Sequence, residues 1–265
     1  MQAVRVAVLG NLSFDLVEGA QPRPGGPPLY AARAFAALGV PALVRAKTAT
    51  ADRSHLQPAL EGVGLPVEWL DGTSTATYEF SYDDDLRRMH VRELGSPWTP
   101  DEVDGLDAGW VHVGALYRGE FPPETLAALA ESGARISFDA QGLVRPARTG
   151  PLVLEAEPDT SFLRHVSVLK LSDEEAQALV GSLEEQALSE LGVPEVVVTL
   201  GSRGCLVVAG QRLVHVPAER VDADPTGAGD AFAAAYVVER NRGLSPERAA
   251  EKATGLVHRL LARAQ

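Results

Sequence analysis

Residues 224–232 read DPTGAGDAF and place two glycines and an alanine directly before an aspartate, Asp230. Pro225 fixes one backbone angle, while Gly227 and Gly229 permit angles that a side chain forbids. The apolar run AFAAAYVV follows and is typical of a buried helix. Because the first amides of a helix lack partners of their own, this turn is able to hold an anion. The alternative is that Asp230 only caps the helix.

The density of polar and small residues in this turn favours catalysis over capping. Asp224, Thr226, two glycines and Asp230 fall within seven residues. A carboxylate beside an amide cradle can accept a hydroxyl proton while the amides neutralise charge on a transferring phosphoryl group. The sequence contains no P-loop, HExxH, GxSxG or HRD motif, and no GxGxxG follows its first strand. Its six histidines are scattered, so we expect surface or packing roles for them.

The composition limits the class of protein. Of 265 residues, 45% are apolar and 23% are charged, as is ordinary for a globular protein. The formal net charge of −12 disfavours nucleic acid and anionic membranes as partners. No apolar run approaches the roughly 18 residues of a membrane span and no signal pattern opens the chain, so we expect a cytoplasmic protein. The single cysteine, Cys205, excludes an intrachain disulfide and is expected to be buried.

Strand-like and helix-like runs alternate along the chain. Strands are predicted at 4–9, 42–46, 66–70, 110–116, 135–140, 166–172 and 195–200. Helices are predicted at 28–39, 52–62, 123–132, 173–180 and 245–263. Most of the strands are apolar throughout, as strands covered by helices on both faces are. The pattern predicts an α/β fold, a three-layer α/β/α sandwich with a mostly parallel central sheet.

Two segments depart from this alternation. Residues 75–94 alternate on both sides of an acidic turn and predict a β-hairpin, and residues 11–20 follow the first strand without helical periodicity. We therefore expect one domain over residues 1–265, with these segments forming a small β lid. Because TYEFSY carries β-forming residues on both faces, a homodimer formed through the lid is a further expectation.

The run DPTGAGDAFAAAY, residues 224–236, resembles the C-terminal signature of the ribokinase-like, or PfkB-type, small-molecule kinases. Three other stretches resemble family motifs in the right order: Gly25-Gly26 before an alanine-rich helix, VLKLSDEEA at 168–176 and VVVTLGSRGCLVV at 196–208. The resemblance implies an α/β sandwich with a β lid. It also implies a kinase that uses ATP and Mg²⁺ to phosphorylate a sugar, a polyol or another small alcohol.

Carried onto this sequence, the family pattern makes Asp230 the base that deprotonates the acceptor hydroxyl. The amides of Gly227, Ala228 and Gly229 would form the anion hole for the transferred phosphate. The positions implied to bind the phosphate donor are Thr199, Gly201, Gly204, Lys170, Ser172 and Thr226.

The resemblance also implies metal and acceptor positions. Glu175 would act near Mg²⁺ through water, and Asp224 would lie beside a monovalent cation such as K⁺. The stretch 138–146, FDAQGLVRP, follows a strand at the edge where open α/β sheets bind ligands, although a plain solvated loop is the alternative. The positions assigned to the acceptor are Asp15, Gly25, Gly26, Tyr30, Asp139, Gln141 and Arg145.

Two positions depart from the family pattern. Ser172 stands where the N-x-x-E motif has asparagine, which leaves the metal environment open. Tyr30 stands where an asparagine often follows the paired glycines, so the acceptor need not be ribose. A nucleoside kinase of the same fold and a non-catalytic small-molecule sensor therefore remain alternatives. Asp230 and its glycine turn argue against a sensor, because a sensor needs no base.

Overall fold

The computed structural model describes residues 6–17, 20–83, 86–155 and 159–263. The strands within these ranges are β1 Val6–Asn11, β2 Ser13–Val17, β3 Arg23–Gly25, β4 Ala42–Ala49, β5 Val67–Gly72, β6 Ala76–Asp83, β7 Leu86–Glu93, β8 Trp110–Gly114, β9 Arg135–Asp139, β10 Gly150–Pro151, β11 Val166–Ser172, β12 Glu195–Thr199, β13 Cys205–Ala209 and β14 Leu213–Val216. The α-helices are α1 Pro27–Ala37, α2 Arg53–Glu61, α3 Pro123–Glu131, α4 Gln141–Val144, α5 Asp173–Val180, α6 Glu185–Ser189, α7 Ala228–Asn241 and α8 Pro246–Arg263.

Nine of the strands in the described ranges form the central sheet, in the order β14-β13-β12-β11-β9-β8-β1-β4-β5. The strands from β12 to β5 pair in parallel, and β13 and β14 add an antiparallel hairpin at one edge. Strand β1 is buried along its whole length, as the apolar run at residues 6–9 predicts. The mostly parallel sheet expected from the sequence is therefore confirmed.

Helices cover both faces of this sheet. On one face, α1, α2, α7 and α8 bury a core that includes Phe35, Leu56, Tyr236 and Leu256. On the other face, residues of α3, α4, α5 and α6 build a second core with the opposite side chains of the strands. The three-layer α/β/α sandwich is thus confirmed. No helix among the described residues combines the length and apolar character needed to cross a membrane.

A second, smaller sheet has the strand order β10-β7-β6-β2-β3. Its inward side chains Tyr78, Phe80 and Val91 pack with Leu116 and Tyr117 in a third apolar cluster. On β6 and β7, Glu79 and Arg92 form an ion pair. Both segments expected to form the lid contribute strands here, with residues 18–19 and 84–85 outside the described residues. Closure over a substrate and pairing with a second subunit stay predictions.

Candidate active site

The predicted site residues gather at the carboxyl ends of the parallel strands. Asp139 ends β9, Ser172 ends β11 and Thr199 ends β12. The N-terminus of α7 faces the same edge and brings Asp230 there in its first turn. Parallel strands all end on one side of a sheet, which is why residues far apart in sequence meet here.

The glycine turn before α7 has the geometry its sequence requires. Gly227 is the N-cap residue of α7 and has a φ of 76°, a left-handed conformation that glycine adopts at little cost. Asp224 Oδ1 accepts hydrogen bonds from the Thr226 amide at 3.0 Å and from its hydroxyl at 2.6 Å. The Ala228 amide donates to the carbonyl of Pro225 at 2.9 Å. Of the three expected anion-hole amides, the one from Ala228 is thus already engaged in the turn.

Asp230 has a carboxyl group with a raised pKa. Its Oδ1 is buried and has no hydrogen-bond partner among the described residues. Burial, and after it the charge of Asp139, raises the pKa of Asp230 from its ordinary value of 3.8 to about 7. Lys170 and Arg145 oppose this rise. A carboxylate with a pKa near neutrality is well matched to accepting a proton from a hydroxyl group.

Beneath Asp230 lies a buried polar cluster. Lys170 Nζ lies 3.1 Å from Asp139 Oδ2, and the two side chains are 6% and 0% exposed. A ring nitrogen of His112 and an oxygen of each of Asp139 and Asp230 lie within 4.8 Å of one another. His112 Nδ1 is 3.3 Å from the hydroxyl of Ser137, and burial lowers the pKa of this histidine to about 4, so its ring is neutral. Surface or packing roles were expected for all six histidines, so the position of His112 beside Asp139 and Asp230 was missed.

Glu175 is fixed by a capping box at the start of α5. Its Oε2 accepts a hydrogen bond from the Ser172 amide at 2.8 Å. The Ser172 hydroxyl in turn accepts a hydrogen bond from the Glu175 amide at 3.1 Å. Its Oε1 lies 3.9 Å from an Arg145 nitrogen. Burial is the largest influence on this carboxyl and raises its pKa. The serine that replaces the family asparagine therefore positions the glutamate by capping the helix.

The loop between β12 and β13 depends on two glycines. Gly201 and Gly204 have φ values of 58° and 95°. A β-carbon on Gly204 would lie 2.0 Å from the Val216 carbonyl oxygen, so no larger residue fits. At the start of the loop, the Thr199 hydroxyl donates to the Leu171 carbonyl at 3.1 Å. The loop is thereby held close to the end of β11.

On the acceptor side, Asp15 is held between β3 and α1. Its Oδ1 accepts the Ser13 hydroxyl at 3.0 Å, and its Oδ2 lies 3.5 Å from the Tyr30 hydroxyl. A β-carbon on Gly25 would lie 2.5 Å from Asp15 Oδ2, so this glycine lets the carboxylate approach the backbone. Gly26, the N-cap of α1, has a φ of 96°.

Two cavities meet at this turn. The smaller has a volume of about 150 Å³ and is lined by Asp15, Tyr30 and Asp230; it is named the acceptor cavity after the role that the resemblance implies for Asp15 and Tyr30. The larger has a volume of about 970 Å³ and is named the donor cavity in the same way. It is lined by Lys170, Glu175, Thr199, Gly201 and Gly204. The residues that line both cavities are Met89, Gln141, Arg145, Pro225 and Gly229.

Most sequence-predicted residues line one or both of these cavities. Ser172 also lines the donor cavity, and Gly26 lines the acceptor cavity. Thr226, expected on the donor side, lines the acceptor cavity instead. Gly25 and Asp139 lie behind the walls, where they support Asp15 and Lys170.

Sequence reasoning also missed part of the acceptor wall. Tyr78, Phe80 and Met89 reach the acceptor cavity from the second sheet, and Leu116 reaches it from the loop after β8. The alternation of apolar and polar residues in β6 and β7 predicted strands, but it did not show which face of these strands covers a cavity. Knowing that requires the packing of this sheet on the rest of the chain.

Comparison with known proteins assigns the chain to a family. Residues 13–256 match the family model described as pfkB family carbohydrate kinase. The chain belongs to the PfkB family. An inositol 3-kinase of Zea mays is 33% identical over 184 residues, covering 67% of this chain and 46% of that protein. A 2-dehydro-3-deoxygluconokinase of Escherichia coli K12 is 39% identical over 94 residues, covering 33% of this chain and 30% of that protein. The chain thus spans less than half the length of these curated relatives.

Solved structures show the same fold. A pyrophosphate-dependent kinase of the ribokinase family, complexed with a pyrophosphate analogue and myo-inositol, has a TM-score of 0.86 and 24% identity, covering 97% of this chain and 95% of its own. Arabidopsis thaliana ribokinase, complexed with ribose and ATP, has a TM-score of 0.74 and 20% identity, covering 98% of this chain and 93% of its own. This PfkB-family chain therefore has a ribokinase-like fold.

Proposed function

We propose that this PfkB-family protein transfers the terminal phosphoryl group of ATP to a hydroxyl group of a sugar or polyol. The observation that carries the proposal is the position of the 227–230 turn. Asp230 faces the acceptor cavity, Lys170 and Glu175 face the donor cavity, and Gly229 lines both. A phosphoryl group passing between the cavities would cross at the glycine turn.

The residues of the turn can perform the chemistry of such a transfer. Asp230 accepts the hydroxyl proton as the acceptor oxygen bonds to the terminal phosphorus. The bond from that phosphorus to the bridging oxygen breaks, and ADP leaves with the electron pair. The amides of Gly227 and Gly229 donate to the phosphoryl oxygens at the positive end of α7.

The size of the donor cavity supports a nucleotide as donor. At about 970 Å³ it is at the upper end of ordinary ligand pockets, and it extends from the glycine turn to Val221, Val257 and Leu261. These apolar side chains suit a base, whereas pyrophosphate would occupy only the end near Gly229. Because the structural neighbours include pyrophosphate-dependent kinases, pyrophosphate is the donor against which ATP must be tested.

The side chains beside the turn are suited to binding Mg²⁺. Glu175 offers a carboxylate at the edge of the donor cavity, and its oxygens already contact the Ser172 amide and Arg145. Magnesium retains much of its hydration shell, so binding through water suits a carboxylate already engaged in this way. When bound, the ion would neutralise phosphate charge. Asp224 lies at the turn, where we propose that a monovalent cation such as K⁺ binds.

The acceptor cavity favours a small polyhydroxylated ring over a nucleoside. Its volume of about 150 Å³ is well below that of pockets for drug-sized ligands. Asp15 and Gln141 provide hydrogen-bonding groups, and Phe80 and Met89 provide an apolar wall. Inositol and 2-dehydro-3-deoxygluconate, which the relatives' names indicate, are the first acceptors to test. Arg145 would suit the carboxylate of the latter.

The arrangement argues against a non-catalytic sensor, because a sensor has no use for a carboxylate with a pKa near 7 beside an amide cradle. We further propose that the second sheet acts as a lid in a single kinase domain. Dimerisation through that sheet and a cytoplasmic location remain proposals.

A matrix of donors and acceptors tests the proposal. The purified protein is incubated with ATP or pyrophosphate, with and without Mg²⁺ and K⁺, and with inositol, 2-dehydro-3-deoxygluconate, hexoses or nucleosides. Mass spectrometry detects the phosphorylated acceptor. We expect a phosphorylated sugar or polyol with ATP and Mg²⁺. Product with nucleosides alone would establish the alternative acceptor class, and product with pyrophosphate alone would overturn ATP as donor. Binding of these acceptors without turnover would favour a sensor.

A further inference from the structure

We propose that Lys170 is a catalytic residue that holds a fixed positive charge beneath the glycine turn and stabilises the transferring phosphoryl group. The inference rests on the proposed kinase function. It gives an active role to a buried cation at the point where the two cavities meet.

The geometry places the ammonium group directly against the turn. A β-carbon on Gly229 would lie 2.9 Å from Lys170 Nζ and 3.5 Å from its Cε. Lys170 also lines the donor cavity, although the residue is only 4% exposed. Gly229 thus leaves room for the ammonium group at the junction of the cavities, where a larger residue would displace it.

Asp139 fixes this ammonium group from below. Its Oδ2 lies 3.1 Å from Lys170 Nζ, and its Oδ1 accepts the amide of Gln141 at 3.1 Å. Asp139 is fully buried and lines neither cavity. An ammonium group has three hydrogens to donate, so its bond to Asp139 leaves capacity for phosphate oxygens.

The surroundings keep Lys170 charged. Burial favours loss of its proton, but the charges of Asp139, Glu175 and Asp230 outweigh burial and raise the pKa of Lys170 above its ordinary value. In phosphoryl transfer, negative charge spreads over the equatorial oxygens of the transferring group. A fixed cation in a site of low polarity stabilises that charge without reorganisation during the reaction.

The competing explanation is that Lys170 only neutralises Asp139. A buried carboxylate without a partner is strongly destabilising, so loss of Lys170 alone would impair the enzyme under either explanation. The two explanations differ when Asp139 is neutral. A counterion then becomes dispensable, whereas a cation that contacts the phosphoryl group does not.

The test compares wild type with Lys170→Met, Asp139→Asn and the Asp139→Asn/Lys170→Met double variant. We expect the double variant to have a kcat at least about tenfold below that of Asp139→Asn, with the KM for the acceptor little changed, since the lost interaction forms in the transition state. Equal kcat values in these two variants would overturn the proposal.

Lys47 provides a matched control for the loss of a buried lysine. It is 4% exposed and pairs with Glu102 at 2.6 Å, away from both cavities. Lys47→Met should lower the melting temperature while kcat falls less than about twofold. A comparable fall of kcat in Lys47→Met and Lys170→Met would also count against a specific role for Lys170.

A binding measurement separates this proposal from the proposed function. Inorganic phosphate should raise the melting temperature of wild type and of Lys47→Met, but not of Lys170→Met or the double variant. Phosphate stabilisation that persists without Lys170 would overturn the inference. If wild type phosphorylates no acceptor but its phosphate response requires Lys170, the kinase proposal fails and Lys170 is retained as a phosphate ligand.

Discussion

The ring of Tyr30 packs so closely on Gly227 that a β-carbon on the glycine would lie 2.1 Å from Tyr30 Cδ1. The tyrosine hydroxyl reaches towards Asp15 at 3.5 Å, and the Arg33 guanidinium lies 5.6 Å from the ring centroid. Tyr30 therefore connects Asp15 to the glycine turn before α7. In place of the asparagine often found in the family, it supplies a wall that narrows the acceptor cavity.

This contact predicts coupling between the two positions. Gly227→Ala should destabilise the protein, because alanine at a φ of 76° costs about 1–2 kcal/mol and its methyl group also meets the tyrosine ring. The same substitution should cost less in a Tyr30→Ala background, where only the backbone strain remains. Urea unfolding of the four proteins measures the coupling. An identical cost in both backgrounds would show that the contact does not restrict position 227.

Asp230→Asn should reduce turnover by about 10²–10⁴-fold, the usual contribution of a general base. ATP binding should change little, because Asp230 lies on the acceptor side. In wild type, kcat/KM should rise with pH to half its maximum near pH 7, because only the unprotonated carboxylate accepts a proton and its pKa is about 7. Initial rates from pH 5 to 9 measure both effects. Near-wild-type turnover in the variant would remove Asp230 from the mechanism.

Asp230→Asn should also change how the free energy of unfolding depends on pH. The pKa of Asp230 is raised on folding from 3.8 to about 7, so within this window the folded chain holds a proton that the unfolded chain has lost. The stabilisation that the raised pKa of Asp230 adds to the free energy of unfolding is therefore complete below pH 4 and is lost as the pH rises through 7. Asparagine does not titrate, so Asp230→Asn should gain stability relative to wild type between pH 5 and pH 8. Denaturant unfolding at both values checks this, and a constant difference would mean that the carboxyl is not perturbed.

Gly229→Val should lower kcat strongly while changing the stability of the fold little. Gly229 lies within α7, and its β-carbon would displace the flexible end of Lys170. We expect kcat to fall by about 10²-fold, comparable to the loss of one anion-hole donor. Gly255→Val in α8 is the control, because the nearest atom to its β-carbon is Arg259 Nη1 at 3.6 Å. An equally stable Gly229→Val enzyme with normal kcat would assign the glycine a structural role only.

The sequence predicts the sheet and the turn because local physical constraints determine both. Strand β1 begins with an apolar run at residues 6–9, and it is buried on both faces as that pattern requires. The left-handed φ of Gly227 likewise follows from a glycine that must lead the chain into α7. Such features depend on residues next to one another in the chain.

The polar cluster under Asp230 could not be predicted in this way. His112, Ser137 and Lys170 lie on three neighbouring strands, and their contacts depend on the order β11-β9-β8 in the sheet. A histidine inside the apolar strand WVHVG resembles any buried packing residue until its neighbours are known. Which face of β6 and β7 points inward depends in the same way on how the two sheets pack.

The second sheet should close over the acceptor, because transfer to an alcohol requires water to be kept from the phosphoryl group. Tyr78, Phe80 and Met89 already line the acceptor cavity from this sheet. Hydrogen exchange in residues 75–94 should therefore slow when an accepted substrate and a non-hydrolysable ATP analogue bind together. Helix α3, on the far layer, is the internal control, and its exchange should not change.

ATP hydrolysis without acceptor gives an independent check on the lid. It should be slow in wild type and should increase if Phe80→Ala opens the apolar wall. Unchanged exchange in residues 75–94 at saturating ligand would show that these strands are not a lid. If protection instead increases with protein concentration in the absence of ligand, the strands are protected by a second copy of the chain.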